Sequence, residues 1–73
     1  MPRQAGVIEV QGHVVEALPK MLFRVELRNG HRLLAYLAGR ARLKLTDLAA
    51  GDCVKLELSP YDLSTGRITA RQT

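Results

Sequence analysis

Five basic side chains in two short stretches are the residues of this chain best suited to chemistry. Arg40, Arg42 and Lys44 follow one another at i, i+2 spacing within residues 39–45, which contain no acid. Arg67 and Arg71 lie in the last seven residues, again without an acid. Such a set offers recognition of a polyanion, because a planar guanidinium can pair bidentately with phosphate and can also stack on a base. The net charge of +4, from 11 Lys and Arg against 7 Asp and Glu, points the same way. The acids are dispersed: Glu9, Glu16, Glu26 and Glu57 through the strands, Asp47, Asp52 and Asp62 in connections.

Catalysis finds little in the sequence. His13 and His31 fall on different predicted strands, and no Ser/His/Asp or paired-carboxylate spacing is present. Each histidine reads as an exposed strand or turn residue. Cys53 has no intramolecular partner and sits in a Val/Leu-rich run, so it reads as a small buried or half-buried apolar residue. No Cys/His cluster suggests zinc, and the six glycines read as turns, bends or termini rather than a phosphate cradle. The chain is expected to bind and not to transform, with no cofactor.

The elements that must position the basic residues follow from period-two alternation. Ile8, Val10, Gly12 and Val14 share one face of a first strand, and Gly12 marks a bend or a close backbone approach. Pro19 ends that run. A second strand turns Phe23, Val25 and Leu27 inward, and Asn29-Gly30 predicts a two-residue type I′ turn. The returning strand places Leu33, Ala35 and Leu37 inward and Leu34 and Tyr36 outward. Residues 40–50 break the alternation; Leu45, Leu48 and Ala49 keep helical spacing, with Thr46 or Asp47 as a cap. Val54, Leu56 and Leu58 then face inward on a fourth strand, and Pro60 to Gly66 form a loop. On the fifth strand Ile68 and Ala70 are expected inside, with Arg67, Thr69 and Arg71 outside on one side.

Seventy-three residues make one domain, residues 1–73, which buries only about 60% of its unfolded surface. A closed architecture suits that size, since it leaves few sheet edges exposed. Five strands with a short helix between strands 3 and 4 give an all-β chain with the element order of an OB-fold barrel. An SH3-like barrel is the competing architecture. No apolar run reaches the ~20 residues that span a bilayer, and Met1 to Gly6 has no apolar signal core. With one free cysteine, the expected location is the cytoplasm and no membrane partner is expected. Only three aromatics exist: Phe23 reads as core, Tyr36 as outward, and Tyr61 as packing over a barrel end. Recognition of a folded RNA's phosphates therefore fits better than a base-stacking platform.

Several strings carry a resemblance that spans nearly the whole chain. They are Ile8-Glu9-Val10-Gln11-Gly12, Leu18-Pro19, Met21 to Leu27, Asn29-Gly30-His31, Gly51-Asp52, Pro60 to Ser64 and Gly66-Arg67-Ile68. Together they resemble bacterial translation initiation factor one, an OB-fold of the S1-like family. The resemblance implies a monomer that docks in the decoding (A) site of the small ribosomal subunit. There it would block premature tRNA entry and act with the other initiation factors. It carries RNA or ribosomal-protein contacts to Arg40 and Arg42 in the loop and to Arg67 and Arg71 in the last strand, and less strongly to Lys44. A cold-shock-like single-strand RNA binder and an SH3-like protein-interaction barrel are the alternatives. The chain departs from the family at Asp47, where an arginine is usual, and in a tail that lacks the usual aromatic and final basic residue. Asp47 is expected either to repel RNA or to cap the helix.

Overall fold

The computed structural model describes residues 6–37 and 39–72. They form β1 (Ile8–Leu18), β2 (Leu22–Leu27), β3 (Arg32–Leu37), α1 (Arg40–Lys44), β4 (Cys53–Ser59) and β5 (Asp62–Arg71). The strands close in the order β1-β2-β3-β5-β4, and β4 returns to pair with β1. All ladders are antiparallel except β3–β5, the parallel seam that closes the barrel. This is the expected OB-fold, with its helix between the third and fourth strands.

The alternation of the sequence becomes the core. Val14, Val25, Val54, Leu56 and Ile68 are fully buried, and Phe23, Leu33 and Leu37 join them. Val10 and Leu27 pack against this core only half-buried, and Ile8, on the same face of β1 as Val10 and Val14, is 39% exposed. The cause is the length of β1. It pairs with β4 through Ile8 to His13 but with β2 only from Gly12 onward, so its first residues run past the end of β2. Gly12 stands where β1 passes from one partner to both. A Cβ there would lie 2.8 Å from the Glu26 carbonyl oxygen, so any side chain would force the strands apart.

Two turns differ from expectation. In the β2–β3 hairpin only Gly30 has positive φ (88°). The Gly30 amide donates to the Leu27 carbonyl (3.0 Å), and the Leu27 amide donates to the His31 carbonyl (2.8 Å). That is a three-residue loop ending in a left-handed glycine, not the two-residue type I′ turn. Asn29 acts through its side chain instead, its Oδ1 accepting the His31 amide at 3.0 Å. Consecutive left-handed residues occur instead between β1 and β2, at Lys20 (φ 64°) and Met21 (φ 60°). Each costs about 1–2 kcal/mol, offset in part by packing Met21 against the core.

The β4–β5 connection is also tighter than the predicted loop. Ser59 pairs with Asp62 across a two-residue turn, and β5 starts at once. Leu63 to Thr65 then bulge away from β4. Asp62 holds the bulge: its Oδ1 accepts the Ser64 amide (3.1 Å) and hydroxyl, and its Oδ2 accepts the Thr65 hydroxyl (3.2 Å). Tyr61, expected to pack over the barrel end, is 93% exposed at the turn tip. Cys53, expected to be at least half-buried, is exposed at the start of β4.

The helix lies earlier than the apolar spacing predicts. It spans Arg40–Lys44, begins at Gly39 without a side-chain cap, and leaves Thr46 and Asp47 beyond its end. Leu48 is buried in the core, with Ala41 and Leu45 against it. The i, i+3 apolar spacing thus feeds the barrel core from an irregular connection, not from a helix. Asp52 closes that connection, its Oδ2 accepting the Ala49 amide at 3.0 Å while its own amide donates to the Ala49 carbonyl.

Candidate nucleic-acid interface

One turn of helix sorts the three loop cations. Arg40 and Lys44 are i, i+4 neighbours and so lie on one side of α1. They line a groove of about 310 Å³ against β5, with Ala41, Leu45, Thr69, Ala70 and Arg71 completing it. Arg42 is exposed outside that groove. Among the described residues, none of the three has a carboxylate within ion-pair distance.

The two strand arginines are placed differently from the loop set and from each other. Arg67 stands in register between Tyr36 on β3 and Glu57 on β4. Its guanidinium donates to Glu57 Oε1 at 2.5 Å, and this hydrogen bond holds its pKa above the ordinary value. Beyond it, Leu56 pairs with Ile68 but Lys55 pairs with Ala70, so Thr69 is an extra residue. Its hydroxyl donates to the Lys55 carbonyl at 3.2 Å. This bulge reverses the strand's phase. Ala70 falls opposite the outward-facing Lys55, and Arg71 opposite the buried Val54. The expectation that Arg67 and Arg71 share one side, with Ala70 inside, is thereby corrected.

Turned toward the barrel end, Arg71 meets the carboxylates of the connection. Its Nη2 donates to Asp47 Oδ1 at 2.7 Å, and its Nη1 is 3.6 Å from Asp52 Oδ2. Asp47 therefore does not cap α1; it is the counter-ion of Arg71. The hydrogen bond from Arg71, reinforced by one from its own backbone and by the guanidinium charge, holds the Asp47 carboxyl below its ordinary value.

Arg40, Lys44 and Arg71 thus meet in one groove, while Arg42 and Arg67 lie outside it. Sequence reasoning missed the groove's lining by Thr69 and Ala70, and the role of Asp52. A single inserted residue in a strand leaves no trace in composition. The Asp47–Arg71 pair joins residues 24 apart, and no local pattern announces it.

Comparison with known proteins agrees with this architecture. Residues 2–73 match the family model described as Translation initiation factor 1A / IF-1. The chain belongs to this family. It is similar to the solution structure of bacterial translation initiation factor one from the Wolbachia endosymbiont strain TRS of Brugia malayi. That match has 35% identity and a TM-score of 0.75, covering 94% of this chain and 82% of that one. It is also similar to the crystal structure of YjeQ from Thermotoga maritima, at 27% identity and TM-score 0.69. There 90% of this chain corresponds to 23% of the other, so the same barrel is one part of a longer protein. This initiation factor has no helix, among its described residues, long and apolar enough to cross a membrane.

Proposed function

We propose that this initiation factor binds the small ribosomal subunit in the decoding (A) site through phosphates of ribosomal RNA. Bound there as a cytoplasmic monomer, it blocks premature tRNA entry and acts with the other initiation factors. The observation that carries this reading is the helix α1. It offers Arg40, Arg42 and Lys44 on one turn, without a carboxylate partner among the described residues. Three adjacent cations repel one another, and a phosphate backbone is the ligand that relieves them. Arg67 and Arg71 add to the interface only by exchanging a carboxylate for a phosphate. The buried Phe23 leaves Tyr36 and Tyr61 as the only exposed aromatics, which favours backbone contacts over a row of stacked bases.

Sedimentation with purified small subunits across a salt series tests the reading. Three phosphate contacts give a log–log slope of about −2 to −3, and engagement of all five basic residues steepens it to about −4.5. Binding with a slope near zero would contradict phosphate recognition, and absence of binding at low salt would contradict the ribosomal reading altogether.

A further inference from the structure

The groove between α1 and β5 holds three cations, Arg40, Lys44 and Arg71, yet two carboxylates already occupy Arg71. The two are not equivalent. Asp52 is built into the fold, since the Oδ2 that faces Arg71 also accepts the Ala49 amide. Its side chain is 28% exposed. Asp47 is 71% exposed, follows the end of α1, and has Arg71 as its one side-chain partner among the described residues. A carboxylate and a phosphate oxygen present the same acceptor chemistry to a guanidinium. Asp47 is not among the residues that line the groove, but its exposed carboxylate holds the guanidinium of Arg71, which is, and so takes the acceptor role that an RNA phosphate would take there.

Resting on the phosphate-binding reading above, we propose that Asp47 is an internal competitor for RNA. It holds Arg71 as a surrogate phosphate and must be displaced before Arg71 can join Arg40 and Lys44 on one phosphodiester. Asp52 stays in place and keeps the guanidinium aimed into the groove during the exchange. Asp47 thus sets the affinity of the groove without touching RNA, and the factor binds more weakly and releases more readily than its count of basic residues implies.

The test is a double-mutant cycle on small-subunit affinity at fixed salt, with Asp47→Asn and Arg71→Gln singly and together. Asp47→Asn is expected to tighten binding about tenfold, the value of one charge-assisted contact freed from competition. In the Arg71→Gln background the same change is expected to gain less than about threefold, because no guanidinium remains to be released. Equal gains in both backgrounds would reduce Asp47 to a general repulsive charge and overturn the proposal. So would unchanged affinity of Asp47→Asn when the wild type binds with the salt dependence described above. Failure of the wild type to bind at all would instead remove the ribosomal reading, so the two failures are distinct. Asp47→Ser serves as a second variant, checked for folding by thermal melting, and the same gain is expected from it.

Discussion

The strand arginines and the cations of α1 are partnered in opposite ways. Every arginine within a strand has a carboxylate within 4 Å: Arg24 with Glu16, Arg32 with Glu26, Arg67 with Glu57, and Arg71 with Asp47 and Asp52. Cross-strand register does this for Arg24, Arg32 and Arg67, because side chains on adjacent strands stand only about 5 Å apart, whereas Arg71 draws its carboxylates from the connection before β4. The helix carries Arg40, Arg42 and Lys44 with no such partner among the described residues. A five-residue helix with like charges at i, i+4 is disfavoured by length and by repulsion. It persists because Ala41 and the adjoining Leu45 pack on the barrel core. The difference teaches where this protein accepts local instability: on the helical surface proposed to meet RNA, while the strand arginines are held by carboxylates.

The strongest way to break the comparison is to remove the support that both regions share. Phe23 is buried beneath the sheet. Phe23→Ala is expected to cost about 3–5 kcal/mol, a large part of a small domain's stability. Urea denaturation measures it, and a cost below about 1 kcal/mol would show that Phe23 is not part of the core.

A smaller effect sharpens the contrast itself. Arg40→Gln or Lys44→Gln is expected to weaken small-subunit binding by about 1–2 kcal/mol each. Stability should stay constant or rise by about 0.2–0.5 kcal/mol as the like-charge pair is relieved. Arg24→Gln, which breaks a surface ion pair, is expected to leave binding unchanged and shift stability by less than about 1 kcal/mol. Parallel titration and melting of the three variants separate the classes. If Arg24→Gln weakens binding as much as Arg40→Gln, paired and unpaired cations are equivalent and the distinction fails.

The smallest effect concerns a carboxylate satisfied by hydroxyls instead of cations. The Ser64 hydroxyl, then the Ser64 amide, hold the Asp62 carboxyl below its ordinary value of 3.8. Since the folded value lies below the unfolded one, the contribution is complete above about pH 4 and is lost as pH falls through the folded value. Asp62→Asn should therefore lower Tm modestly at pH 7, and the gap to wild type should narrow as pH drops below about 4. A gap of constant size across that acid range would place the Asp62 contribution outside its ionisation.

Much of the fold was legible because alternation with period two is imposed by the pleat itself. Val14, Val25, Leu33, Val54 and Ile68 could face only one way in a closed barrel. The turns were less legible because Asn29-Gly30 suits more than one loop, and the ladder bonds at Leu27 decide between them. At the site, residue type identified the loop cations, and helical geometry then separated Arg42 from Arg40 and Lys44. The orientation of Arg71 was not legible. Thr69 and Ala70 are ordinary strand residues, and only the pairing of β5 with β4 shows that one of them is extra.

The parallel seam between β3 and β5 governs the order in which this chain can fold. Strand β5 is hydrogen-bonded to β3 on one edge and to β4 on the other, so it is the closing stave of the barrel. Until it is in place, β3 and β4 each present an open edge, and Leu56 and Leu58 lack their β5 partners Ile68 and Gly66. The antiparallel β1–β2–β3 meander can assemble early from local contacts, but it gains a sealed interior only when the last strand arrives. Such dependence on distant pairing slows folding and leaves adhesive edges in the interval. Among the described strands this stave is also the one that follows the other four in the sequence, so closure of the barrel waits on the most C-terminal of them.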